Sequence, residues 1–468
     1  MTTAIMWFRA DLRLENNPAF VSACEHQRVI PLYIRDPAAS AVIGSAQNWW
    51  LYHSLSAHQK SLDKRHLKLC LRTGKALDVL LELIDQHQVD AVYWNRCYEP
   101  AAIERDQAIK TALKNRGIRV CSTNGSLLVE PWELQTSQGG YFKVFTAFWK
   151  QCQKHLSLAN CSLSTKLPGC PETVSESIED WHLLPEKPNW AAGFADHWQP
   201  GEEAALARLD NFLEEAITSY KENRDYPALK GTSRLSPHLH FGEISPVTVY
   251  NQVLELQQAQ ALPSAAVSQF LAELGWREFS YHLLYHFPKL AEKNFQSAFD
   301  HFPWQSEPSL LKAWQQGQTG YPLVDAGMRE LWHTGYMHNR VRMVVASFLV
   351  KHLLIDWRKG AAWFEDTLLD ADLANNSASW QWVAGSGADA APYFRIFNPI
   401  LQSEKFDPQG EYIKTWIPEL RKLSASQIHR PWQASVNKSG YPAPIVNHDE
   451  ARKLALHFYD LIKRKKGD

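Results

Sequence analysis

A chain of 468 residues is longer than one hydrophobic core serves, so two or three domains are expected. Apolar residues at 45% and charged residues at 21%, with no extended low-complexity tract, exclude a disordered or fibrous protein. A formal net charge of −1 excludes a polybasic nucleic-acid binder, and any nucleic-acid site must be a local patch.

In chain order, Ala4–Phe8, Val29–Ile34, Leu67–Leu71, Ala91–Trp94 and Ile118–Val120 are short apolar, β-branched runs separated by helix-length stretches. Strands alternating with helices predict a doubly wound parallel sheet, an α/β domain over 1–130 whose ligands sit beyond the strand C-terminal ends. No G-x-G-x-x-G follows the first strand, and the lone Gly74-Lys75 is too little for a P-loop, so neither a dinucleotide nor a triphosphate site is indicated there. Over 131–200 periodicity weakens while Pro, Gly, Ser and isolated Trp accumulate, which predicts an interdomain connector packed on the surface. A 3.6-residue period then takes over, at Glu202–Ala216, Ala265–His286, Pro322–Thr334 and Val341–Leu354, and predicts an all-α domain over 201–468.

No apolar run approaches membrane-spanning length, and Met1–Ala4 leads straight into a strand-like segment without a signal pattern, so a cytoplasmic protein is expected. The seven cysteines form no Cys-x-x-Cys pair, and their odd number predicts reduced thiols, with neither a disulfide framework nor a metal site. Nineteen tryptophans are more than a core demands, which points to rings with a stacking task.

Ser236-Pro237 and Ser245-Pro246 each place a capping hydroxyl ahead of a proline suited to the first helical position. Two helix starts with Thr232, Ser233 and Arg234 just upstream make an anion site of the kind a pyrophosphate takes, although two ordinary capped helices account for the same residues. Asp370-Ala-Asp-Leu-Ala-Asn-Asn-Ser-Ala-Ser-Trp-Gln-Trp382 sets two carboxylates two residues apart before paired amides, an odd composition for a mere loop. A capped helix with two core tryptophans is the plain alternative.

Met6-Trp-Phe-Arg-Ala-Asp-Leu-Arg-Leu14, Tyr220 through Asp225, the Thr232–Ser236 run and the 370–382 segment resemble the DNA photolyase and cryptochrome family, over nearly the whole chain. The resemblance implies bound FAD, with Tyr220, Thr232, Ser233, Arg234, Leu235 and Ser236 around its diphosphate. It also implies that Asp372 accepts from the isoalloxazine N3–H, that Asp370 pairs with Arg342 beside the ring, and that Asn376 faces N5. An amide there serves either protonation state of N5, whereas a carboxylate would repel a reduced, anionic ring.

Glu273-Leu-Gly-Trp-Arg-Glu278 and Met337-His-Asn-Arg-Val-Arg-Met343 are similar to the family's lesion-binding segments. By resemblance, Trp276 and Trp382 wall an extruded pyrimidine dimer, Glu273 and Asn339 contact it, and Arg224, Arg277 and Arg340 meet the DNA backbone. Met343 points to cyclobutane dimers: members acting on (6-4) photoproducts carry His at the positions of Asn339 and Met343, because that repair must also move a proton. Trp380, Trp357 and Trp304 match the family's tryptophan chain between flavin and surface; without that context they read as core residues.

The resemblance further implies an antenna chromophore on the α/β domain. Trp94–Ala102 lacks the Asn-Glu pair of folate-binding bacterial members, and Trp49-Trp-Leu-Tyr-His-Ser54 looks like the branch nearest plant cryptochromes. Methenyltetrahydrofolate in a different binding mode is therefore expected over a deazaflavin or a flavin. The expected function is light-driven repair of cyclobutane pyrimidine dimers in DNA by a monomer, through electron transfer from reduced FAD. The alternative, a cryptochrome-like blue-light photoreceptor, is opposed by Asn376 and the complete lesion set. An ordinary nucleotide-binding oxidoreductase would account for the first half of the chain but not the helical half.

Overall fold

The computed structural model describes residues 1–37, 44–164, 167–260, 262–390, 395–433 and 440–464. The five apolar runs form five parallel strands, β1 (Thr3–Phe8), β2 (Arg28–Arg35), β3 (Cys70–Thr73), β4 (Ala91–Asn95) and β5 (Arg119–Thr123), in the order β3-β2-β1-β4-β5. Both faces of the sheet are covered, so β1 reads as a continuous apolar run. Ala4, Met6 and Phe8 pack towards Trp50 and Leu55 of the Ser45–Asp63 helix, and Ile5 and Trp7 pack towards Leu80 and Leu83 of the Ala76–His87 helix. The third strand begins later than its apolar run suggests because its register follows β2, with Leu32 opposite Cys70 and Arg35 opposite Thr73. Strand order reverses between β1 and β4, where such sheets commonly seat ligands. Here Arg9 fills that crevice, its guanidinium 4.7 Å from the Trp7 ring and 2.5 Å from Asp106.

The 131–200 stretch departs from the expected surface connector. It contains the Phe145–Cys152 helix, whose Phe148, Trp149 and Cys152 are buried in the helical half, while Trp181, Phe194 and Trp198 are buried in the core beside the sheet. Its isolated tryptophans are anchors, and a segment that anchors through single residues has no period to read.

Beyond residue 201 the predicted helices are present as Glu202–Glu215, Ser264–His286, Pro322–Thr334 and Asn339–Lys351. At their centre the Leu373–Ala384 helix packs against Ser264–His286, Trp357–Thr367 and Asn339–Lys351. Gly360 allows one of these contacts, since a Cβ there would lie 2.1 Å from the Trp380 ring. Among the described residues all seven cysteines are free thiols, and no helix is long and apolar enough to cross a membrane.

The halves are joined by backbone as well as side chains. Leu12 N donates to Phe241 O at 3.1 Å and Arg13 Nη1 to Gly242 O at 2.9 Å. Gly242 has φ +66, and a Cβ on it would sit 2.1 Å from Ala10 O. Gly242→Ala, which adds left-handed strain to that overlap, is expected to destabilise the protein by about 2 kcal/mol or more. The check is a lower guanidinium midpoint.

Candidate active site

A cavity of about 360 Å³ opens in the helical half, walled mainly by the 220–240 stretch, the Ser264–His286 helix, and parts of 336–346 and 364–383. Tyr220, Thr232, Ser233, Arg234, Leu235, Ser236, Arg342, Asp370, Asp372 and Asn376 all line it. Residues named from four separate motifs thus share one space.

At one end the 232–236 loop turns through Arg234, whose φ of +52 lays its guanidinium 4.3 Å from the Trp198 ring and 4.9 Å from Tyr336. Ser236 is not the cap expected of it: Leu235 occupies that position, and Ser236 Oγ instead donates to Asp370 Oδ2 at 2.5 Å. Ser245 does accept from Val247 N, at 3.2 Å, as a capping hydroxyl should.

Asp370 also takes Arg342 Nη2 at 2.8 Å, so the expected ion pair is formed, and Arg342 Nε donates to Met337 O at 2.6 Å. Asp372 caps the Leu373–Ala384 helix by accepting from Asn375 N, and it receives Asn375 Nδ2, both at 2.8 Å, together with the Tyr281 hydroxyl. Burial would push its carboxyl up, but the His240 contact and charge, the charge of Arg277 and the Tyr281 hydrogen bond pull it down to about 2. Asn376 Nδ2 donates to Ala361 O at 3.0 Å and Glu365 Oε2 at 3.2 Å.

On the open side, Glu273, Trp276, Asn339 and Met343 line the same cavity. Trp276 is 36% exposed and stacks on Phe145, ring centres 3.7 Å apart and planes within 7°. Glu273 is engaged by Arg224 and by Gln269 Nε2 at 3.1 Å. Asp225 joins Arg224 at 3.8 Å to Arg340 at 2.8 Å, which completes an alternating row of charges at the rim.

Arg277 lines the cavity beside Trp276, where it donates to Ser126 O at 2.7 Å and lies 5.0 Å from the Tyr281 ring. One expected lesion residue is placed differently. Trp382, expected to face Trp276 across the lesion, is not among the cavity-lining residues and packs half-buried against the helical core. On a helix, Trp380 and Trp382 stand on different faces, and it is Trp380 that reaches the cavity.

Trp380 is buried, with its ring contacts among the described residues made to Phe364 at 5.0 Å and Trp314 at 6.3 Å. Trp357 is also buried, its Nε1 held by Asn294 Oδ1 at 2.9 Å, and it starts the helix packed on the one bearing Trp380. Trp304 is half-buried, 4.3 Å from Phe302, and the next residue, Gln305, donates to Leu354 O at 2.8 Å. The helix begun by Trp357 thus packs on the one bearing Trp380, and the residue after Trp304 is bonded to the loop just before Trp357. Trp314, Phe145, His240, Tyr336 and Asn375 are not marked as site residues by the sequence. Asn375 falls inside the 370–382 motif and His240 between the two Ser-Pro pairs, but nothing local distinguishes Phe145.

Unmet polar atoms test the fit to FAD. Arg234 Nε and Asp370 Oδ1 are buried without a hydrogen-bonding partner among the described residues, and both side chains line the cavity. An unmet donor beside the loop suits a phosphate oxygen and an unmet acceptor suits a ring or sugar donor, so the residues present fit the cofactor.

The depressed carboxyl gives a pH prediction. Asp372→Asn is expected to lower the melting temperature at neutral pH. Because the folded pKa, about 2, lies below the unfolded one, the wild-type advantage is complete above about pH 4 and vanishes as pH falls towards 2. Thermal melts of both proteins down this range check it.

Comparison with known proteins agrees with this geometry. The DNA photolyase family model matches residues 4–172, and the model for the FAD binding domain of DNA photolyase matches residues 270–460. A deoxyribodipyrimidine photo-lyase of Agrobacterium fabrum is 50% identical over 98% of both chains, and Cryptochrome-2 of Arabidopsis thaliana is 38% identical over 96% of this chain and 77% of its own. The crystal structure of a bacterial class III photolyase from Agrobacterium tumefaciens superposes with a TM-score of 0.95 at 49% identity, covering 99% of this chain and 98% of that one. The chain belongs to the DNA photolyase family and carries its FAD-binding domain.

Proposed function

We propose that this protein is a deoxyribodipyrimidine photo-lyase that uses blue light to repair cyclobutane pyrimidine dimers in DNA. One observation carries the reading: Glu273, Trp276, Asn339 and Met343 open onto the same cavity as Arg342, Asp370, Asp372 and Asn376. A cofactor and a lesion can thus be held in contact, as electron transfer between them requires. Reduced FAD, when bound there, would supply a light-excited electron donor to the dimer and would accept the electron again once the cyclobutane ring has opened.

The protein's part is to hold and exclude. Asp372, ionised at neutral pH, would accept from the edge of the flavin ring, the Arg342–Asp370 pair would hold the ring's flank, and the 232–236 loop would hold the diphosphate. Trp276, stiffened by Phe145, offers one apolar wall to an extruded dimer, while Glu273 and Asn339 supply polar contacts to its edge. Arg224 and Arg340 meet phosphates once they exchange their carboxylate partners. Residues 201–468 form the catalytic domain in this scheme, and the protein acts as a monomer in the bacterial cytoplasm.

We further assign a methenyltetrahydrofolate antenna to the 1–130 domain. A cleft between the Ser45–Asp63 helix and residues 195–204 supports this reading, with the His53 ring to lie against a pterin and Lys60 as a cation for a carboxylate tail. The similarity to Cryptochrome-2 supports a second reading as a photoreceptor, against which stand Asn376 and the lesion residues.

Dimer loss from irradiated oligonucleotides, with and without blue light, tests the function; no light-dependent loss would refute it. An absorption spectrum of the purified protein tests both chromophores. Trp304→Phe is expected to abolish photoreduction of oxidised flavin while chemically pre-reduced enzyme repairs at nearly the wild-type rate. Met343→His is expected to weaken dimer repair without conferring (6-4) repair, because Asn339 still occupies the partner position; assays on both lesions check it.

A further inference from the structure

We propose that Gln47, a residue of the α/β half, holds the amide of Asn376 in one orientation through Glu365, so that the sheet domain determines which atom Asn376 presents to the flavin. The inference rests on the assignment of Asn376 to the flavin ring.

The contacts are continuous. Asn376 Nδ2 has two N–H bonds and two acceptors, Ala361 O at 3.0 Å and Glu365 Oε2 at 3.2 Å, which leaves its oxygen as the atom free to face the cavity. Glu365 is held in turn by Gln47, whose Nε2 lies 3.3 Å from the Glu365 carbonyl oxygen and 3.5 Å from Oε1 of its carboxylate. Gln47 Oε1 meets His240 Nε2 at 3.2 Å, so both ends of the Gln47 amide are occupied. The Gln47 side chain is itself buried, at 4% exposure.

The backbone beneath is equally determined. Ser45 N and Oγ donate to Asp366 Oδ1 at 3.0 and 2.6 Å, pinning the start of the Ser45–Asp63 helix to the end of the helix that carries Glu365. Gly44 permits this approach, since a Cβ there would stand 1.9 Å from Glu365 O. Two halves of the chain thus meet at a residue one hydrogen bond removed from Asn376.

Orientation matters because N5 of a flavin changes character with redox state. The oxidised ring offers N5 as an acceptor and suits an amide N–H, whereas the reduced ring carries hydrogen on N5 and suits an amide oxygen. Holding the oxygen towards the cavity therefore favours the reduced form. Gln47 is not among the cavity-lining residues and acts as a positioning residue.

The readout is the dark rate at which photoreduced, full-length holoprotein returns to the oxidised spectrum in air. Gln47→Met is expected to speed it about fivefold, the worth of one net hydrogen bond, and Asn376→Ser to speed it further. In the Asn376→Ser background, Gln47→Met is expected to add nothing. Gln47→Glu keeps the acceptor for His240 while removing the donor to Glu365; it is expected to accelerate oxidation too, and serves if the Met variant loses FAD. Wild-type rates in both FAD-replete Gln47 variants, with Asn376→Ser fast, would overturn the proposal. So would an acceleration that persists undiminished beside Asn376→Ser, which marks a general structural effect. An Asn376→Ser protein that behaves as wild type would instead remove the assignment of Asn376, and this inference with it.

Discussion

Two buried carboxylates, Asp370 and Asp372, stand two residues apart at the entry to the central helix, and the cavity depends on both being answered. A buried charge without partners costs several kcal/mol, so the chain converges on them. Asp370 draws in Ser236 from the 232–236 loop and Arg342 from the Asn339–Lys351 helix. Asp372 draws in Tyr281 from the Ser264–His286 helix while capping the helix that carries Asn376 and Trp380. One short turn thereby joins the segments that wall the site, and one oxygen of Asp370 is left without a partner among the described residues.

The rim solves a different problem. A chain of net charge −1 must offer cations to a polyanion without leaving them buried and unpaired. Arg224 and Arg340 are paired with Glu273 and Asp225, side chains 15% and 20% exposed, so the free protein carries balanced charge at its cavity mouth. Phosphate must then compete with a carboxylate for each arginine. Under the proposed function, backbone affinity would be reduced to a difference between two ion pairs, and contacts to the lesion would weigh correspondingly more in discrimination. Under the same function, that exchange would free Glu273 as Arg224 turned to DNA, coupling engagement of the backbone to exposure of a lesion contact.

The two halves are less separate than a division into antenna and catalytic domains suggests. Gly242 lies against Ala10, Trp50 Nε1 donates to Glu243 at 3.1 Å, and the Ser45–Asp63 helix abuts Glu365 beside the cavity. The 131–200 stretch contributes core residues to both sides. Much of the tryptophan content is accounted for at these seams, where a large ring can fill an irregular gap and still place its N–H on a partner, as Trp198 does on Thr334 O at 2.8 Å.

The sequence by itself determined the parallel sheet and the helical second half, because apolar periods of two kinds are local properties of the chain, and its short motifs named residues that line one cavity. The Asp370–Arg342 pair was legible for the same reason: each partner sits in its own motif. Only the tertiary structure decided that Ser236 answers Asp370 instead of capping a helix, that Arg277 finds Ser126 O, that Trp380 and not Trp382 lines the cavity, and that Phe145 and Gln47 contact residues far from them in sequence. Each of these is a choice of partner. A side chain's partner is set by which segments packing brings within about 3 Å, and no window along the chain contains that information.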